Sequence, residues 1–328
     1  MHTARPWRRS VLTFAAAAAV LACTAPVASA ARPAVVTGGA AVSPSTATFT
    51  GTVDPQGLRT TYWFEYGTTT AFGAQTSSAN AGAGNSPVTA AGSVGNLTAD
   101  TVYYYRLVAR NRDGTTRGAR RSVRTQRAPL GLSLSAAPNP VPFGTDVTLG
   151  GILTGSGNAG RTVQIYQNPF PYTAGFTPVG SPVVTNAQGG FALAVAPPAL
   201  TTQFRARLAG DPDVASPILI LPVAVRVSTG VHIGRRRAGG VRLVRFAGRI
   251  RPARDGAQFA VQRLSRSGTR WITVAGGITH ADSPEASRYS RRVRVRHSGT
   301  YRVYVRIVDG NLTSASGREV AIRLRARR

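Results

Sequence analysis

Short runs of alternating apolar and polar residues, each closed by glycine, proline, asparagine or aspartate, recur from about Ala34 to the end of the chain. Successive side chains on an extended strand point to opposite faces, so a period of two is the pattern of a half-buried strand rather than of a helix. Ala47, Phe49, Gly51 and Val53 alternate with Thr48, Thr50 and Thr52, and the run stops at the turn sequence Asp54-Pro55-Gln56-Gly57. Thr61-Tyr62-Trp63-Phe64-Glu65-Tyr66 follows and ends at Gly67. With 36 Gly, 21 Pro and a single Met, the composition suits strands joined by tight turns. The chain is expected to be all-β.

The first residues are of a different kind. Arg5, Arg8 and Arg9 precede an apolar run from Val11 to Val20, and Ala28, Ser29 and Ala30 supply an A-x-A cleavage site. This is the layout of a secretory signal peptide over 1–30, with an apolar run too short to cross a bilayer. Val20-Leu21-Ala22-Cys23 also resembles a bacterial lipobox, in which Cys23 would be lipidated and become the mature N-terminus. Both readings place the mature chain outside the cell, secreted or at the cell surface, without a transmembrane segment. Cys23 is the only cysteine, so cleavage after Ala30 leaves neither a disulfide nor a thiolate metal site.

About 300 mature residues exceed what one hydrophobic core normally serves. The first segment, 34–126, contains Leu97-Thr98-Ala99-Asp100-Thr101-Val102-Tyr103 leading into Tyr104-Tyr105-Arg106-Leu107-Val108-Ala109-Arg110 and a turn at Asn111-Arg112-Asp113-Gly114. A Leu six residues before a Tyr at the start of a penultimate strand resembles the tyrosine corner of fibronectin type III domains. Phe64-Glu65-Tyr66-Gly67-Thr68-Thr69-Thr70 is similar to a phrase of fibronectin type III-like modules of exported proteins from GC-rich, actinobacterial-type bacteria. The resemblance implies a seven-stranded sandwich with Tyr103 as corner residue.

Segments 130–226 and 230–326 look like copies of one pattern. Gly160-Arg161-Thr162-Val163-Gln164-Ile165-Tyr166 corresponds to Asp255 through Arg263, Gly190 through Val195 to Arg288 through Val293, and Gln203 through Leu208 to Thr300 through Arg306. Phe204 and Tyr301 are thereby separated by about one immunoglobulin-like sandwich of roughly 100 residues. Both copies resemble bacterial immunoglobulin-like repeats of surface proteins. The expected architecture is three tandem immunoglobulin-like or fibronectin type III-like β-sandwich domains with separate apolar interiors and short joints at Arg127-Ala128-Pro129 and Ser228-Thr229-Gly230.

All 40 basic residues are Arg, and their distribution is uneven. Residues 31–128 carry net +6, residues 129–226 net +1, and residues 227–328 net +18, from 23 Arg against 5 acidic residues. In this last segment Arg292, Arg294 and Arg296 share one strand face opposite Val293 and Val295, and Arg302, Tyr304 and Arg306 lie opposite Tyr301, Val303 and Val305. Pairing of these two strands would build an Arg ladder containing Tyr304. Like charges across a ladder repel, so such a face gains from a bound polyanion. Guanidinium forks match phosphate and carboxylate, which points to a cell-envelope polymer, an acidic polysaccharide or extracellular nucleic acid.

Catalytic machinery is not evident. His232, His280 and His297 stand apart from any H-x-H or H-E-x-x-H pattern, no G-x-S-x-G elbow occurs, and Asp211-Pro212-Asp213 is the only close acidic pair. No cofactor, metal or small-molecule substrate is expected. Trp271 is read as core, and Asn168-Pro169-Phe170-Pro171-Tyr172 as a contact loop if the second domain binds anything. The leading expectation is a non-enzymatic structural or adhesive surface module; the alternative is a dedicated polyanion binder acting through the Arg-rich C-terminal domain.

Overall fold

The computed structural model describes residues 31–236 and 241–324. The signal-like segment with Cys23, Arg237 and the terminal Arg325, Arg327 and Arg328 lie outside the described residues. Among the described residues there is no helix, and none therefore is long and apolar enough to cross a membrane. They form two compact units, one ending at Gln126 and the other beginning at Arg127.

The principal strands of the first unit are β1 (Ala34–Val42), β2 (Ala47–Asp54), β3 (Thr60–Gly67), β4 (Val88–Val94) and β5 (Val102–Asn111). One sheet has the order β1-β2-β4; the other places β3 beside β5, with Gly114–Arg117 and Arg121–Arg124 on the far side of β5. The alternation of β2 does what its sequence suggests: Ala47, Phe49 and Val53 are buried while the threonines face out. Phe49 stacks on Tyr105 at 4.5 Å and meets Phe64 at 5.7 Å, tying the two sheets together. The Tyr103 hydroxyl accepts from the Thr98 N–H at 3.0 Å, and Thr125 Oγ1 donates to the Thr98 carbonyl at 2.7 Å, which closes the corner before β5.

The second unit contains two further sandwiches. The first has β6 (Val147–Thr154), β7 (Thr162–Pro169), β8 (Gly190–Val195) and β9 (Thr202–Leu208). β6 pairs with β8 in one sheet and β7 with β9 in the other, around Leu149, Leu153, Ile165 and Phe204. The second has β10 (Gly230–Arg236), β11 (Arg242–Arg251), β12 (Gln258–Leu264), β13 (Trp271–Ile278), β14 (His280–Ser283), β15 (Ala286–Val295) and β16 (Gly299–Arg306). One of its sheets runs β10-β11-β15-β14 and the other places β12 between β13 and β16. The strands matched in the sequence, β7 with β12, β8 with β15 and β9 with β16, occupy equivalent places, and Phe204 and Tyr301 are both buried. The three sandwiches thus share one all-β, immunoglobulin-like plan.

Two expectations change within this second unit. Arg226–Val227 already pairs with Arg251 and Ile250 of β11, so the last sandwich begins before Gly230. Its interior is also continuous with that of its neighbour. Thr313 donates to the Val223 carbonyl at 2.8 Å, Val225 to that of Thr313 at 3.2 Å, and Thr201 to that of Asn311 at 2.8 Å. A loop between strands of one sandwich therefore supplies backbone partners to the last strand of the other. With Leu221, Val223, Val225 and Leu312 buried along this seam, the two apolar interiors merge instead of staying apart.

A basic sheet face as candidate binding site

The strands β11 and β15 are built alike. On β11, Val244, Phe246 and Ile250 are buried and Arg245, Arg249 and Arg251 exposed; on β15, Tyr289, Val293 and Val295 are buried and Arg288, Ser290, Arg292 and Arg294 exposed. Antiparallel register sets Arg245 directly opposite Arg292 and Arg249 opposite Arg288, with Ala247 opposite Ser290 between them. The rows extend outward, His232 of β10 lying beside Arg245 and His280 of β14 beside Arg288. Two unit charges at the backbone spacing of directly opposed residues, about 5 Å, repel by roughly 0.8 kcal/mol at the dielectric of water, an upper bound for guanidiniums that can splay apart.

One carboxylate, Asp282, relieves part of that repulsion at Arg249. Arg245 Nε donates to Ser290 Oγ at 2.9 Å, and Arg249 Nε to Asp282 Oδ2 at 2.7 Å. Small residues at Ala247, Gly248 and Ser290 leave a depression of about 420 Å³, rimmed by Arg245, Arg249, Arg288 and His280. A second depression of about 250 Å³, lined by Arg226, Ser228, Arg249 and Arg251, shares Arg249 with the first.

Gly248 is obligatory here. A Cβ at this position would stand 1.9 Å from the Ser228 carbonyl oxygen and 2.8 Å from the Tyr289 hydroxyl. That hydroxyl donates to the Ser228 carbonyl at 2.7 Å and lies 3.0 Å from Thr229 Oγ1, which fastens the start of the sandwich beneath the depression. Burial pushes the Tyr289 phenol up to about 12.

The expected ladder between the strands of Arg292 and Arg302 does not form. β15 pairs with β11 and β14, whereas β16 pairs with β12, so the two stretches belong to opposite sheets. β15 and β16, although consecutive in sequence, lie across the sandwich from one another rather than side by side. Arg292 and Arg294 remain on the basic face, and Arg296 is exposed just past the end of β15. Arg302, Tyr304 and Arg306 stand on the other outer face. There Arg302 lies 4.1 Å over the Trp271 ring and 6.0 Å from that of Tyr304, with Nε donating to Gln262 Oε1 at 2.9 Å. Trp271 is accordingly half-buried beneath a guanidinium and not in the core. Arg306 lines a separate depression of about 490 Å³ with Arg254, Asp255 and Asp309, where Arg254 Nε is 3.4 Å from Asp309 Oδ2.

Arg245 and Arg249 were missing from the predicted set, although the alternation of Arg242 through Arg251 carries the same signal as that of Arg288 through Arg296. The Phe170-Pro171-Tyr172 loop holds an edge-to-face ring pair at 5.6 Å and borders Gly310 of the adjoining sandwich. Among the described residues no three His, Cys, Asp or Glu converge in a metal-binding group.

The sequence matches no protein-family model and no curated protein. Among solved structures, a tetra-tandem repeat in the extending region of a large adhesion protein is similar at 14% identity over 88% of this chain and 74% of that one, with a TM-score of 0.28. The FN1-FN3 domains of chicken CNTN1 are similar at 12% identity over 88% of this chain and 98% of theirs, with a TM-score of 0.32. The fold assignment stands on the strand order and the buried faces.

Proposed function

We propose that this protein is an exported, non-enzymatic surface module whose last sandwich holds a polyanionic polymer on the outer face of β11 and β15. The observation that carries the reading is the register that opposes Arg245 to Arg292 and Arg249 to Arg288. A face that repels itself, with Asp282 as the carboxylate paired to Arg249, gains free energy when phosphate, sulfate or carboxylate groups settle between the guanidiniums. The signal-like residues 1–30 support delivery outside the cell, either as a secreted chain or as a lipoprotein held through Cys23. The seam joining the last two sandwiches suits a structural role, because it presents the basic face on a support braced by its neighbour.

Retention of the full mature chain on phosphocellulose tests the reading. The variant with Arg245, Arg249, Arg288 and Arg292 all changed to Gln is expected to elute at markedly lower salt, with a smaller dependence of affinity on salt concentration. The double variant R302Q/R306Q, altered on the opposite face, is expected to elute near the wild type. Equal elution of the quadruple variant and the wild type would refute the assignment.

A further inference from the structure

We infer that the basic face is a two-subsite trough, centred on Arg249, for successive phosphates of a linear phosphodiester polymer whose repeating unit carries no ring. The inference rests on the polyanion reading above and deepens it. Its first support is the pair of depressions that meet at Arg249, one between Arg245, Arg249 and Arg288, the other between Arg249, Arg251 and Arg226. Arg249 and Arg251 stand two residues apart on one strand face, about 6.6 Å at the rise of a strand. A flexible chain with short spacers can place one oxyanion in each depression while Arg249 serves both.

The orientation of Arg249 fits this shared role. Asp282 accepts from its Nε at 2.7 Å and so fixes the plane of the guanidinium, leaving Nη1 and Nη2 as the edge offered to a ligand. On the other side of the first depression, Ser290 fixes Arg245 through Nε in the same way. Both forks are held by a neighbour before any ligand arrives, which lowers the ordering cost of binding.

The second support is what the trough is made of. Its floor is Ala247, Gly248 and Ser290 with an edge of Tyr289, whose side chain is only 2% exposed; Phe246 is buried, and the exposed rings on this face are the imidazoles of His232 and His280. Recognition of single-stranded nucleic acid ordinarily combines a basic groove with aromatic rings on which bases stack. This face has the charge, but among the described residues it exposes no Phe, Tyr or Trp ring, only the small imidazoles of His232 and His280. The half-buried Trp271 and Tyr304 are on the opposite sheet, and Trp271 is covered by Arg302. The chemistry that remains is a charged backbone without bases or sugar rings to seat.

Calorimetric titration of the full mature chain with glycerol-phosphate oligomers of one, two, four and six repeats tests the inference. Oligothymidylate of matched phosphate number and a heparin hexasaccharide serve as the other arms. Affinity is expected to step up at least tenfold from one repeat to two and to rise more gently thereafter. R249Q is expected to abolish that step, R249K to retain part of it, and R266Q, an exposed Arg in the turn between β12 and β13 of the opposite sheet, to leave it intact. A smooth rise with charge that R249Q and R266Q lower equally would overturn the two-subsite trough while leaving the polyanion reading standing. Tenfold tighter binding of oligothymidylate or heparin would overturn the ring-free assignment. Loss of phosphocellulose retention as a wild-type property would instead remove the underlying function.

Discussion

The Tyr289 hydroxyl offers a quantitative handle on how the last sandwich is fastened at its start. The side chain is 2% exposed, packs against Phe259 at 5.1 Å between ring centroids, and donates to the Ser228 carbonyl at 2.7 Å. Replacing it with Phe leaves that carbonyl without its side-chain donor, at a cost of about 1–2 kcal/mol at neutral pH. Alkali gives a second, independent reading. The folded phenol ionises near 12 and an unfolded one near 10, so the folded state holds this proton more tightly. The resulting stability is fully present below pH 10 and is lost as pH rises through 12. At 1.36 kcal/mol per pH unit the loss is about 1.4 kcal/mol by pH 11 and approaches roughly 2.7 kcal/mol beyond pH 12. Burial also raises Tyr105 and Tyr301, but both are common to wild type and variant and cancel in their difference. Urea unfolding followed by tryptophan fluorescence, with Trp271 reporting on this sandwich, compares wild type and Y289F at pH 8 and pH 11. The stability gap between them is expected to shrink by about 1.4 kcal/mol between the two pH values. A gap that stays constant would refute the raised ionisation of the buried phenol, and a gap near zero at pH 8 would refute its part in holding Ser228.

Three further outcomes follow from the packing. Gly248→Ala forces a methyl group onto the Ser228 carbonyl and is expected to destabilise the last sandwich by about 1–3 kcal/mol, read from the urea midpoint. Tyr103→Phe removes the acceptor of the Thr98 N–H and is expected to cost about 1 kcal/mol in the first unit, with no change in polyanion retention. Thr313→Pro deletes the N–H that donates to Val223 across the seam, and is expected to split into two the calorimetric transition of residues 127–328, for which the wild type is expected to give one.

Alternation made the faces legible but not the neighbours. The buried set of β2 and the shared placement of Phe204 and Tyr301 follow from a period of two and from matched turns, both local properties of the chain. The exposure of Arg292 and Arg294 follows in the same way. Which strand lies beside them does not, because pairing is decided by how the chain crosses between sheets. β15 lies beside β11, far back in sequence, and the next strand, β16, lands in the other sheet. Trp271 escaped for a related reason. The register of β12 and β13 slips between Val261 and Gln262, whose partners are Ala275 and Thr273, and that bulge reverses the parity of the residues preceding it. The seam between the last two sandwiches rests on backbone groups of Asn311 and Thr313, which carry no side-chain pattern for a sequence reading to find.

That seam also decides where the protein can be cut. A chain ending at Arg226 would strip the Val223 carbonyl and the Val225 N–H of their partners and bare Leu221, Val223 and Val225, all now within 2% of full burial. The repeats are therefore not interchangeable beads: transplanting either one into another scaffold requires carrying both, or rebuilding the missing loop as a cap.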